Sequence, residues 1–276
     1  MTIAPNSNIP ALNTDYSLDS TAVDSYRRDG HVLLRTVVSP AEIAVYRDLI
    51  SSAAARFNTE TRPVEERDTY GKAFLQIMNL WVKDESVRRF VLAHRFGKIA
   101  AQLMGVDAVR LYHDQALFKE AGGGPTPWHQ DQYYWPLDTD HTITMWMPLI
   151  DASAQMGTMR FTSGSHCLGY LGALPISDES ESAFEKFIGD RGYEVHAAGS
   201  MAAGDATFHS GWTLHGAPGN SSPHTREVMT IIYFADGARV SEPDNPNRKR
   251  DLATWLPGVE PGELAASELN PVIIRA

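Results

Sequence analysis

Beyond Gly105 the chain consists of short runs rich in Val, Ile, Thr and aromatic residues, at 108–119, 142–149, 158–162, 204–208 and 226–234. Clusters of Gly, Pro, Asn and Ser part these runs. Many short strands punctuated in this way, following a helical first third, indicate a β-sandwich or barrel with helices packed on one side. The residues before Gly105 have a different texture. A short helix is expected from Asp19 or Ser20 to Gly30, ahead of a strand-like His31–Leu34. Ser39-Pro40-Ala41-Glu42 combines an N-cap, a proline at the first helical position and the glutamate of a capping box. Ile43, Tyr46, Leu49, Ile50 and Ala53 follow at helical spacing, which predicts a helix over 40–57. A polar loop is expected over 58–72. Asp84 can cap a helix through Val87, Phe90 and Val91, and a second segment from Phe96 to Met104 closes at Gly105.

No internal repeat is visible, so one domain over 17–276 is the economical reading. Its parts are helical support (17–105), a β core (106–235) and a C-terminal segment (236–276) that closes over a pocket or packs on a second subunit. Residues 1–16, rich in Asn, Pro, Ser and Thr, are expected to form a mobile tail.

Charge and cysteine content narrow the function classes. Among 276 residues, 34 acidic side chains outnumber 24 basic ones, a formal charge of −10 that repels phosphate backbones and anionic lipid. The one basic run, Arg248-Lys249-Arg250, reads as solvated surface. Nucleic acid and membrane are therefore not expected partners. A single cysteine, Cys167, rules out an intramolecular disulfide and a cysteine-based zinc site, and no apolar stretch reaches membrane-spanning length. A cytoplasmic protein, monomeric or homodimeric, is expected.

The chemistry concentrates in two places. Thr126-Pro127-Trp128-His129-Gln130-Asp131 follows a Gly-rich turn at 122–124, and on a strand His129 and Asp131 would leave the same face. About eighty residues on lies a second histidine-rich stretch holding His209 and His215. Two histidines and one carboxylate form the facial triad that holds non-haem Fe(II) with three positions free. From the residues alone, either later histidine could complete it. Arg226 opens the apolar run Val228, Thr230, Ile232, Phe234 and needs an anionic partner, which a dicarboxylate co-substrate would supply. Two rivals share these residues. A zinc hydrolase could use the same ligands but leaves Arg226 unexplained, and a non-catalytic small-molecule-binding barrel could keep the fold without the reaction.

His129-Gln130-Asp131, Trp146, Gly157 leading to Ser163-Gly164-Ser165-His166, Gly204-Asp205, His215-Gly216 and Arg226, taken in order, resemble the phytanoyl-CoA dioxygenase family of Fe(II)/2-oxoglutarate oxygenases. The resemblance covers roughly residues 20–235. It implies a double-stranded β-helix, a jelly-roll or cupin-like core, with His129, Asp131 and His215 as iron ligands, 2-oxoglutarate and O2 as co-substrates, and Arg226 binding the distal carboxylate. The family's arginine lies eleven residues after its second histidine, which selects His215 over His209. Trp146 resembles the tryptophan lining the co-substrate pocket, and Gln115 a polar position near it. Ala217 departs from the serine often found there, which puts co-substrate affinity in doubt. Because Asp131 is present, where related halogenases carry a small residue, the resemblance implies hydroxylation of an unactivated C–H bond. Desaturation, epoxidation and rearrangement stay open. The expected substrate is a small organic molecule, with Gln76, Asn79, Tyr134, Trp135 and Trp212 as candidate contacts.

Overall fold

The structure, a computed structural model, describes residues 9–275. Its first third is helical, and four of its helices start at a side-chain cap. Asp19 caps α1 (Ser20–Asp29), which ends at Gly30 in the left-handed region and passes straight into β1 (His31–Leu34). Ser39 and Glu42 form a reciprocal capping box at the start of α2 (Pro40–Phe57). The expected loop over 58–72 is partly helical: a 3-10 turn at Val64–Glu66 is followed by α3 (Thr69–Ala73), capped by Asp68. Then come β2 (Leu75–Met78), α4 (Leu80–Lys83), α5 (Glu85–Val91), capped by Asp84, and α6 (His94–Met104), closed by a left-handed Gly105.

The remainder is mainly antiparallel sheet: β3 (Ala108–Phe118), β4 (Thr126–His129), β5 (Thr142–Pro148), β6 (Arg160–Thr162), then α7 (Asp178–Arg191) and β7 (Val195–Ala197). These are followed by β8 (Ala206–Ser210), β9 (His215–Ala217), β10 (Val228–Ala235), α8 (Pro246–Trp255) and β11 (Val272–Arg275). The larger sheet runs β1-β8-β5-β10-β3-β11, with β2 also paired to β3; the smaller runs β4-β9-β6-β7. This is the expected jelly-roll core with flanking helices.

Strand alternation divides the large sheet between two environments. Met229, Ile231 and Tyr233 of β10 and Ile143, Met145 and Met147 of β5 join Ile43, Tyr46, Phe90, Phe96 and Leu103 in one core under the helices. The alternate residues Thr230, Ile232, Thr144 and Trp146 line a cavity between the sheets. On β3 the register slips at Tyr112, because Ile232 pairs with His113 while Tyr233 pairs with Leu111. That bulge reverses the alternation, so Val109 and Leu111 face the helices whereas His113, Gln115 and Leu117 face the cavity.

Two expectations need correction. Residues 1–8 of the expected tail lie outside the described residues, but 9–16 are docked: Leu12 is buried, Tyr46 Oη donates to the Pro10 carbonyl at 2.5 Å, and Arg95 Nε donates to the Thr14 carbonyl at 2.8 Å. The reason is that Arg95, a buried cation, needs acceptors, and this segment supplies one beside the Glu42 carboxylate. Asp131 does not lie on a strand. β4 ends at His129, and Asp131 opens a 3-10 turn over Asp131–Tyr133. No helix among the described residues is long and apolar enough to cross a membrane.

Candidate metal centre and co-substrate pocket

β4 and β9 pair antiparallel with His129 directly opposite His215, so cross-strand register brings together residues far apart in the chain. Their rings lie 4.1 Å apart, centroid to centroid. Each histidine uses Nδ1 against a carbonyl two residues behind it, His129 to Pro127 at 2.7 Å and His215 to Thr213 at 2.9 Å. A carbonyl can only accept, so both rings carry the proton on Nδ1 and leave Nε2 as a bare lone pair. His129 Nε2 lies 3.5 Å and His215 Nε2 3.7 Å from Asp131 Oδ1, and one ligand atom from each of the three residues falls within 4.8 Å of the others. A tetrahedral or octahedral cation fits at the centre of such a set.

The second carboxylate oxygen of Asp131 is held separately. Thr144 Oγ1 donates to Oδ2 at 2.8 Å, and His209 Nε2 lies 3.3 Å from the same atom. His209, set aside as a ligand in favour of His215, therefore still sits in the site, with its Nδ1 buried and without a partner among the described residues. Burial, reinforced by His129 and His209, pushes the His215 pKa well below its ordinary value, so His215 is the neutral imidazole a metal requires.

Arg226 is 1% exposed, just ahead of β10, and bridges Lys119 of the neighbouring chain segment through the backbone. Its guanidinium stacks over the Trp146 ring at 5.1 Å, Nη1 donates to the Gly157 carbonyl, and Nε has no partner. Among the described residues it makes no ion pair, and burial pulls its pKa down to about 9. A buried lysine stands beside it. Lys119 Nζ donates to the Gly124 carbonyl at 2.5 Å and reaches Thr126 Oγ1 at 3.4 Å, with its pKa drawn down to about 6 by burial and then by Arg226. A buried guanidinium with no anionic partner among the described residues is a receptor for an anionic group.

The triad and Arg226 line one cavity of about 560 Å³, together with Trp146, Thr126, Met159 and Ala217. The remaining sequence candidates divide. Gln115 and Gln76 are in the wall, joined by a 2.9 Å amide hydrogen bond, and Tyr134 and Trp135 also line it. Asn79 and Trp212 do not. Asn79 takes a left-handed conformation at the start of α4 with its carbonyl oxygen turned to the Asp114 backbone, and Trp212 donates its indole N–H to Asp140 at 2.7 Å. Both are occupied with shaping their own turns.

Sequence reasoning missed His113, Tyr70, Arg250, Asp251 and Trp255, all in the cavity wall. A signal existed for α8: Asn245-Pro246 is an N-cap followed by proline at the first helical position, and Asn245 does cap it. Nothing in the sequence said which wall that helix would complete.

The sequence profile described as phytanoyl-CoA dioxygenase matches residues 26–228. The chain belongs to the phytanoyl-CoA dioxygenase family. That family is one of Fe(II)/2-oxoglutarate-dependent oxygenases. Among its curated relatives, a probable alpha-ketoglutarate-dependent hypophosphite dioxygenase of Stutzerimonas stutzeri is 22% identical over 222 residues, covering 77% of each chain. An ectoine dioxygenase of Streptomyces anulatus is 24% identical over 245 residues, covering 80% of each. Among solved structures, the non-haem alpha-ketoglutarate-dependent carbocyclase SnoK from nogalamycin biosynthesis matches with a TM-score of 0.76 at 25% identity, over 93% of this chain and 96% of its own.

Proposed function

We propose that this phytanoyl-CoA dioxygenase family member hydroxylates an unactivated C–H bond of a small organic molecule, with His129, Asp131 and His215 holding Fe(II) and Arg226 taking the distal carboxylate of 2-oxoglutarate. The observation that carries this reading is the pairing, in one cavity, of three convergent ligand atoms with a buried guanidinium that no carboxylate among the described residues engages. A zinc hydrolase would need the triad but would leave that guanidinium buried without purpose.

When bound, Fe(II), 2-oxoglutarate and O2 supply the oxidising power, and 2-oxoglutarate leaves as succinate and CO2. The chain's own residues bind, orient and exclude water. The Pro127 and Thr213 carbonyls fix the two imidazole tautomers. Thr144 and His209 occupy Asp131 Oδ2 and leave Oδ1 toward the triad. Arg226 and Trp146 form the anion-binding floor, where a charge-assisted hydrogen bond in a dry site is worth more than one in water. Gln115, Gln76 and His113 form a polar wall that aligns the substrate, and burial holds His113 neutral with its pKa near 3.

The likeness to a carbocyclase gives a second reading, ring closure after the same hydrogen removal. The test is succinate release on admitting O2 to protein loaded with Fe(II) and 2-oxoglutarate, across a library of small molecules, with mass analysis of the product. A gain of one oxygen supports hydroxylation and a loss of two hydrogens supports closure. Failure of every compound to raise succinate release above the compound-free rate counts against both.

A further inference from the structure

The wall of the cavity completed by α8 is not explained by the metal or by 2-oxoglutarate. Asp251, 7% exposed, lines the cavity from the middle of α8. Among the described residues its only side-chain hydrogen bond comes from Tyr112 Oη to Oδ2 at 3.4 Å, and Oδ1 has no partner. Among the described residues no cation pairs with it. Arg250 is exposed and directs its guanidinium to Asn247 at 3.1 Å, while Arg248 is committed to the Tyr133 and Gln132 carbonyls and to Asp244. Aromatic rings share its cavity. Trp255 packs on His113 at 5.0 Å, and Tyr112 packs on Trp135 at 5.6 Å; Trp135, Tyr134 and Trp255 all line the same cavity.

An unpaired buried carboxyl in a cavity also lined by aromatic rings has one well-matched ligand chemistry, a cationic nitrogen, which gains charge-assisted hydrogen bonds to the carboxylate and cation–π attraction from the rings. We infer that the substrate carries a basic nitrogen, bound as an ammonium by Asp251 among Trp135, Tyr134 and Trp255. The formal charge of −10 on the chain favours the approach of such a ligand. Without a ligand, burial raises the Asp251 pKa to about 7 against the opposing pull of Arg250, and an arriving cation favours the ionised form. This inference rests on reading the cavity as the oxygenase substrate chamber.

The test uses three probes of similar size, 2-phenylethylammonium, 2-phenylethanol and 3-phenylpropionate, titrated calorimetrically into anaerobic protein holding Fe(II) and 2-oxoglutarate. The ammonium is expected to bind at least tenfold more tightly than the alcohol, and Asp251→Asn should shrink that preference to twofold or less. Trp255→Leu should weaken the ammonium more than the alcohol. Equal binding of ammonium and alcohol, tighter binding of the carboxylate through Arg250, or a preference that survives Asp251→Asn would each overturn the inference. The same samples report separately on the broader reading through their visible spectrum: if the band of the iron chelate forms and the ammonium shows no preference, only the substrate class is wrong.

Discussion

At the scale of single residues, the histidine–carbonyl contacts do most to define the site. Because His129 and His215 each bond a carbonyl two positions back, the Nε2 atoms proposed to face the metal are oriented by the protein itself. His129→Ala and His215→Ala are each expected to abolish both Fe(II) retention and succinate formation. His209→Phe should keep measurable activity while lowering Fe(II) affinity about tenfold, by freeing Asp131 Oδ2. Metal titration of the three variants checks the ranking, and a His209→Phe protein as dead as His215→Ala would show that the ligand set is wrong. Arg226→Ala should raise the 2-oxoglutarate concentration needed for half-saturation by roughly 10²-fold, the usual size of a lost buried charge-assisted pair, with little change in Fe(II) binding. The HxD pair was legible in the sequence because it is local, and the eleven-residue interval to Arg226, which spans the β9–β10 loop, was legible only through the family resemblance. His209 was not, because its contact with Asp131 depends on β8 lying next to β5, a pairing 60 to 70 residues apart in the chain.

At the scale of elements, the site is a product of strand register. Gly216 stands between His215 and Ala217 on β9, and a methyl group there would lie 2.9 Å from the Thr126 carbonyl oxygen on β4, closer than side-chain carbons ordinarily approach. Backbone cannot swing aside as a long side chain can, so Gly216→Ala should push β4 from β9 and part the two ligand histidines. The expected result is a tenfold or greater loss of Fe(II) affinity with an unchanged far-ultraviolet spectrum, both measurable on one sample. Helices with capping signals, α1, α2 and α5, were readable in advance, as were the long strands β3, β5 and β10. The short elements β2, β7, β9 and β11 carry too few residues for periodicity to show. The bulge at Tyr112 was equally invisible, although it decides that Gln115 faces the cavity, because a bulge is a relation between two strands.

At the scale of the whole molecule, the helical third is tied to the chain start through the Arg95–Glu42 pair. The Arg95 hydrogen bonds are the main reason that the Glu42 pKa falls to about 2, with the capping contacts to Ser39 adding to the effect and burial opposing it. A carboxylate depressed in the folded state stabilises above its unfolded pKa of about 4.5 and loses that contribution as pH falls toward 2. Glu42→Gln should therefore cost up to about 3 kcal/mol at pH 7 and flatten the acid limb of the stability curve between about pH 5 and 2, as read by urea unfolding across that range. The jelly-roll class was legible because composition and strand spacing report on layers. The outer wall of the chamber was not, because α8 reaches it only through tertiary packing and its Arg248-Lys249-Arg250 run reads as ordinary surface.

The central claim is that Fe(II) is held by His129, Asp131 and His215 in a cavity where Arg226 receives the far end of 2-oxoglutarate. Anaerobic titration of the Fe(II)-loaded protein with 2-oxoglutarate, followed by visible absorption, tests it most directly. The account predicts a weak charge-transfer band that saturates at one equivalent in the wild type, needs far more 2-oxoglutarate in Arg226→Ala, and is absent in His215→Ala. A wild-type protein that binds Fe(II) tightly while its spectrum stays unchanged by 2-oxoglutarate would contradict it.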